Sequence, residues 1–317
     1  MKTEANSKIY THSILGAIGK TPVVRLRHIV PPNSADVYVK LEYFNPTGSY
    51  KDRMALAIIE GAEQKGILSS GMTVIECTGG STGTSLAMVC RAKGYRFKVI
   101  SSDAFAKEKL QAMQLLGAEL ELEPSDGGKI TPDLVPRMIK RAENLAGQPG
   151  YFFTRQFYNE DAFVGYQKMA EEMISQLLPQ RIDAFCGAVG TAGMLMGTSK
   201  YLKKVNPTTK VTVLEPASAP LLSRGEKGIH KVDGIGVGFV PPLLNKDFYD
   251  DIRAVDETEA RATAKKLAAE EGIFAGTSTG LNVAAALKIA AQLGAGHTVM
   301  TVACDTGLKY LSSGLFD

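Results

Sequence analysis

Metal and redox chemistry have little to work with in this sequence. Its four cysteines, Cys77, Cys90, Cys186 and Cys304, form no CxxC pair and no zinc-type spacing. The four histidines (His12, His28, His230, His297) include no HxxxH pair, so no metal site is expected. Each cysteine lies in or beside an apolar run, the pattern of a buried free thiol in a reducing compartment. No stretch approaches the roughly twenty apolar residues of a membrane span. The opening residues, Met1 to Lys8, are polar, carry an acid and lack the apolar centre of a signal peptide, so a cytoplasmic location is expected. Charge of one sign is scarce as well. The net charge of +3 is spread along the chain, and neither nucleic acid nor membrane is an expected partner. Low-complexity tracts and fixed-period repeats are absent.

What is present is an ordinary globular composition, 44% hydrophobic and 22% charged, in a chain of 317 residues, long enough for two domains. Strand and helix patterns alternate. Strands are expected at 36–41, 72–77, 97–101 and 119–122, with helices from Ser85 to Lys93, Ala106 to Leu116 and Pro132 to Ala146. A second series follows residue 156. It has helices at 163–178, 194–204, 257–271 and 281–293, and strands at 182–189, 211–214 and 297–302. Such alternation implies parallel sheets with crossover helices, in which ligands sit beyond the carboxyl ends of the strands.

One stretch joins a turn to a reactive side chain. In Asn45-Pro46-Thr47-Gly48-Ser49-Tyr50-Lys51-Asp52-Arg53, Pro46 and Gly48 forbid regular structure. A helix marked by Met54, Ile58, Ile59 and Ala62 follows and is closed by Gly66. Ser49 with Asp52 resembles a capping box, which puts Ser49 near the N-cap. Lys51 then lies in the first turn, where the helix dipole disfavours a cation. That lowers the amine's pKa and eases imine formation with an aldehyde. A solvated Lys-Asp-Arg helix start has the same spacing.

Three further clusters lead into helices. Val189-Gly190-Thr191-Ala192-Gly193-Met194 suits a phosphate or a ligand-free tight turn. Thr78-Gly79-Gly80-Ser81-Thr82-Gly83 gathers N–H and hydroxyl donors suited to a carboxylate, although a capped turn reads similarly. Gly276-Thr277-Ser278-Thr279-Gly280 offers Ser278 either as a ligand contact or as an N-cap for the helix expected from Leu281. Nucleotide sites fail on detail. Gly187, Gly190 and Gly193 give GxxGxxG, Gly234 to Phe239 runs into Pro241-Pro242, and Gly19-Lys20-Thr21 has Ile14 where a P-loop needs glycine.

The stretch around Lys51, together with Ile18-Gly19-Lys20-Thr21-Pro22-Val23-Val24-Arg25-Leu26 and Thr306-Gly307-Leu308-Lys309-Tyr310-Leu311, resembles the cysteine synthase and cystathionine β-synthase family. The resemblance covers nearly the whole chain. It implies two open twisted α/β domains of the tryptophan synthase β-like (fold type II) architecture: a smaller one over 35–155, and a larger one over 13–34 and 156–317. It implies pyridoxal 5'-phosphate held by Lys51, with the phosphate in a cup of Gly190, Thr191, Ala192, Gly193 and Met194. In that cup Ala192 replaces a glycine and Met194 a hydroxyl-bearing threonine. By resemblance Ser278 meets the ring nitrogen, and Ser81 stands where an asparagine contacts the phenolic oxygen. Thr78, Gly79, Gly80, Thr82 and Gln156 would hold the substrate carboxylate, with Gly79 replacing a serine. The segment Phe163-Val164-Gly165, replacing two threonines and a glycine, would make the pocket more apolar.

The implied reaction is β-replacement on an O-activated serine or similar amino acid through an aminoacrylate, with sulfide or another nucleophile. β-Elimination of the cysteine desulfhydrase or serine dehydratase type, and a catalytically silent regulatory subunit, are the alternatives. Small-molecule substrates and a homodimer complete the expectation.

Overall fold

The computed structural model describes residues 10–129, 131, 133–312 and 315. In chain order the elements are β1 (Val23–Arg25), β2 (Asp36–Leu41), α1 (Lys51–Gln64), β3 (Thr73–Cys77), α2 (Ser81–Lys93), β4 (Arg96–Ser102), α3 (Lys107–Leu115), β5 (Ala118–Glu123), α4 (Leu134–Ala146) and β6 (Tyr151–Phe153). They continue with α5 (Ala162–Leu177), β7 (Ala184–Ala188), α6 (Gly193–Val205), β8 (Lys210–Pro216), α7 (Leu221–Arg224), β9 (Asp251–Val255), α8 (Glu257–Glu271), α9 (Thr277–Leu293) and β10 (Thr298–Ala303).

Two sheets result. A six-stranded sheet has the order β1-β2-β10-β7-β8-β9, parallel except where β1 pairs antiparallel with β2. A four-stranded parallel sheet has the order β5-β4-β3-β6. Helices cover both faces of each. The apolar residues of α8 and α9 pack on one side of the larger sheet, and those of α5 and α6 on the other. On the smaller sheet, α1 and α2 face one side and α4 the other. Burial on both faces is what lets strands such as Thr73–Cys77 be buried at every position.

Helix α1 belongs to both cores. Tyr50, Met54 and Ile58 recur every four residues and enter the larger core. Ala55, Ile59 and Ala62, one step round the helix, enter the smaller. The helix is therefore held from two sides, and its first residue is Lys51.

Several expectations shift. The division at residue 35 assigned β2 to the smaller unit, but its hydrogen bonds place it between β1 and β10 in the larger sheet. Local pattern cannot choose between two sheets; strand register does. Helix α9 begins at Thr277, four residues before the expected Leu281, with Gly276 as N-cap, so Ser278 lies inside the first turn and does not cap it. Small polar residues had masked that turn. Strands β1, β6 and β9 went unrecognised, being three to five residues long with no clean alternation. Pro132, the expected start of α4, lies outside the described residues.

Candidate active site

The carboxyl ends of the parallel strands bring the clusters together. The turn after β2 carries Asn45 to Tyr50, and the segment after β10 carries Cys304 to Thr306. The two are stitched by Tyr50 N donating to Cys304 O (3.0 Å) and Thr306 N to Gly48 O (3.0 Å). Gly276 N donates to Asp305 O (3.2 Å), which adds the start of α9 to the same knot. Lys51, Asp305 and Ser278 thus come from three distant parts of the chain. In the same first turn as Ser278, Thr279 Oγ1 accepts from Cys304 N (3.0 Å), which fastens the start of α9 to the end of β10.

The expected capping box is replaced by a longer reach. Asp52 accepts from Thr47 N (2.8 Å) and Thr47 Oγ1 (2.5 Å), while Ser49 Oγ accepts from Lys51 N (3.2 Å). The proline turn folds Thr47 back over the helix start, and the carboxylate holds it there. Lys51 is buried, with Nζ 5.1 Å from the centroid of the Tyr50 ring. Among the described residues that amine makes no hydrogen bond and no ion pair. Burial pushes its pKa down to about 8, and Cys304, Glu76 and Asp305 keep it from falling further. A buried, unpartnered amine near neutrality is suited to imine formation.

Strand β7 ends in the second cluster. A Cβ at Gly190 would lie 2.2 Å from Gly234 O, so only glycine permits the 234–236 loop to close on this turn, where Gly236 N donates to Val189 O (3.1 Å). Among the described residues the backbone N–H groups of Thr191, Ala192, Met194 and Leu195 find no backbone acceptor, and Thr191 Oγ1 accepts from Gly193 N (3.4 Å). Such a ring of free donors at the start of α6 fits a phosphate. Met194 turns its side chain away, into the larger core against Gly187. Ala192 adopts φ +66°, a left-handed conformation that glycine would take without penalty. Ala192→Gly should therefore raise stability by about 0.5–1 kcal/mol, read as a higher melting temperature; a lower one would contradict the strain.

The third cluster starts α2. Thr82 Oγ1 donates to Gln156 Oε1 (2.8 Å), and Gln156 Nε2 donates to Cys77 O (3.1 Å), so two of the five expected carboxylate contacts are mutually oriented. The buried Glu76 fixes the same loop, accepting from Gln156 N (3.0 Å) and Thr154 Oγ1 (2.5 Å). Thr78 Oγ1 accepts from Gly80 N (3.2 Å). Gly79 is glycine for a steric reason: a Cβ there would meet the Phe105 ring at 2.0 Å. Phe105 takes the room a serine side chain would need, and sequence reasoning missed it. Phe163 lies in the larger core against Gly197 of α6, and Gly165 lets α5 approach the Arg53 carbonyl of α1.

Known proteins resemble this chain over nearly its whole length. The family described as pyridoxal-phosphate dependent enzymes matches residues 14–305. The chain belongs to that family. It is 43% identical over 305 residues to cysteine synthase of Staphylococcus aureus (strain N315), covering 96% of each chain. It is 42% identical over 308 residues to O-ureido-L-serine synthase of Streptomyces lavendulae, covering 96% of this chain and 93% of the other. The crystal structure of O-acetylserine sulfhydrylase isoform 3 from Entamoeba histolytica superposes with TM-score 0.91 at 34% identity, over 100% of this chain and 94% of that one.

This pyridoxal-phosphate-dependent enzyme has a buried amine at the start of α1 and, among the described residues, N–H groups without backbone acceptors at the start of α6. Two residues near them escaped or only grazed the sequence reading. The buried Asp305 accepts from the Tyr310 hydroxyl on Oδ2 (2.7 Å), while its Oδ1 has no partner among the described residues. Lys309 Nζ donates to Ser81 Oγ (3.1 Å) across 228 residues of sequence. Only the fold could pair them. Among the described residues no group of three or more His, Cys, Asp or Glu could hold a metal ion, and no helix is long and apolar enough to cross a membrane.

Proposed function

We propose that the enzyme catalyses β-replacement on an O-activated serine, exchanging the oxygen-linked group on Cβ for an incoming nucleophile. Pyridoxal phosphate, when bound, supplies the aldehyde for the substrate's amino group and a ring that draws electrons from Cα. Lys51 holds the cofactor and, once displaced by the substrate amine, takes the Cα proton on Nζ. Its depressed pKa, about 8, keeps a usable fraction of free amine near neutrality. Gly190, Thr191, Ala192, Gly193 and Met194 bind the phosphate through backbone N–H groups and the Thr191 hydroxyl. Thr78, Gly79, Gly80, Thr82 and Gln156 orient the carboxylate.

Ser278 presents a neutral hydroxyl to the ring nitrogen. A hydroxyl does not keep that nitrogen protonated as a carboxylate would, so departure of a group from Cβ is favoured over transamination. The unit built on β3 to β6 closes over the carboxylate and excludes water, with Phe105 packed on the loop at Gly79. The observation that carries this reading is the buried, unpartnered Lys51 amine on the strand edge that also bears the free N–H groups after β7.

Holoenzyme given O-acetyl-L-serine should show a new visible absorption band that persists until sulfide or another nucleophile is added. Stoichiometric pyruvate formed with no nucleophile would instead assign the protein to β-elimination. No spectral response to any O-activated serine would overturn the reading. The proposal extends to a cytoplasmic homodimer, which light scattering of the purified holoenzyme tests for mass.

A further inference from the structure

Lys309 sits in the 3-10 turn Gly307–Tyr310 that follows β10, and Ser81 is the first residue of α2. The 3.1 Å bond between them crosses from the larger sheet to the smaller. Its direction is fixed by chemistry. An ammonium has protons and no lone pair, so Ser81 Oγ must accept. The single proton of that hydroxyl is then left to point elsewhere. Thr82, the next residue, donates its own proton to Gln156. Ser81 is thus a hydroxyl donor of the loop still free to serve a ligand.

The charge behind it is also available. Among the described residues Lys309 Nζ has no other hydrogen bond and no ion pair; Asp305 and Asp52 act on it from beyond contact. A half-buried ammonium without a contact anion among the described residues favours one, and a carboxylate with full charge matches it better than a neutral group. The start of α2 adds backbone N–H groups: its N-cap Gly80 offers no side chain to satisfy them.

We propose that Lys309 is a positioning residue that makes Ser81 an obligate, charge-backed hydrogen-bond donor to the carboxylate of the amino-acid substrate, and so selects for an anionic group there. The inference rests on the pyridoxal-phosphate reading above and departs from the family resemblance, which directs Ser81 to the cofactor's phenolic oxygen. Because the two residues come from different sheets, carboxylate binding also ties the smaller unit to the larger.

The test compares two ligands that cannot lose a group from Cβ, L-alanine and its neutral counterpart L-alaninamide, titrated into holoenzyme and followed by visible absorption. Lys309→Met should weaken L-alanine about tenfold to thirtyfold and leave L-alaninamide within about twofold, the loss of one charge-assisted hydrogen bond. Lys309→Arg should recover most of the affinity. Ser81→Ala should reproduce the selective loss, and adding Lys309→Met to it should cost less than about twofold more. Equal weakening of both ligands, or losses that multiply in the double variant, would overturn the proposal. Should Lys309→Met fail to fold or to retain cofactor, Ser81→Ala and Lys309→Arg decide: no selective loss in the former overturns it. A wild-type enzyme that prefers L-alanine while the variants behave identically sinks this inference alone. A wild-type enzyme unresponsive to either ligand sinks the functional reading and this with it.

Discussion

Lys51→Ala should give a protein that no longer acquires visible absorption with pyridoxal phosphate and whose turnover falls by more than about a thousandfold. The side chain has two tasks, holding the aldehyde and moving the Cα proton, and alanine can do neither. Loss of a positioned general base alone typically costs about 10²- to 10⁴-fold. The fold should survive, because among the described residues the amine makes no hydrogen bond or ion pair, and removing it from over the Tyr50 ring leaves no buried polar group unpaired. Near-wild-type activity in this variant would end the assignment.

The wild-type residue carries a pH signature too. Only the neutral amine attacks an aldehyde. With a pKa of about 8, its population rises roughly tenfold per unit from pH 6 and levels above 8. The rate at which apoenzyme takes up pyridoxal phosphate should follow that curve. An ordinary exposed lysine would keep accelerating to about pH 10, so continued rise beyond pH 9 would contradict the buried environment.

The largest loss of stability is expected at Arg53. Its guanidinium is buried and forked between two carboxylates. Nε and Nη2 donate to Glu42 (2.7 and 2.9 Å), and Nη1 and Nη2 donate to Glu172 (2.9 and 2.7 Å). Glu42 is fully buried and also accepts from Thr21 Oγ1 (2.6 Å) and Asn45 Nδ2 (2.9 Å), while Lys40 donates to Glu172 from the far side (2.8 Å). Arg53→Leu leaves Glu42 without its counter-charge and should cost about 3–5 kcal/mol. That is a fall in melting temperature on the order of 10 °C in a chain of this size. Adding Glu42→Leu should restore part of the loss, since a buried pair replaced by apolar residues is often nearly neutral.

The sign of the pH dependence follows from Glu172. Burial works to raise its pKa, but Arg53 and Lys40 bring it down to about 2. A depressed carboxylate contributes stability that is present above the unfolded value near 4.3 and is lost as pH falls toward 2. Acid unfolding of the wild type should steepen in that window, and Arg53→Leu should flatten it. An unchanged acid limb in the variant would show that the pair contributes nothing.

The same network explains why separate stretches of sequence read as one family pattern. Asn45 Oδ1 accepts from Gly19 N (2.8 Å), Glu172 accepts from Lys20 N (2.9 Å), and Glu42 binds both Thr21 and Arg53. The Ile18–Leu26 segment and the Asn45–Arg53 stretch are thus two sides of one buried clamp on the first turn of α1. Each was legible as a string of residues; that they touch was not.

Local information sufficed wherever the deciding interaction lies within about one turn or one strand. The helical stripe after Lys51, the alternation of strands and helices, and the glycine clusters at strand ends all follow from side-chain period and backbone freedom. So the chain by itself determined an α/β protein, an amine at a helix start and a glycine-rich turn at the end of a strand. The tertiary structure decided what local pattern cannot encode. It put β2 in the larger sheet, buried Lys51 deeply enough to bring its pKa to about 8, filled the space over Gly79 with Phe105, and set Lys309 behind Ser81. Each of these depends on desolvation or on contact between residues many tens of positions apart, and both exist only once two sheets have packed around α1.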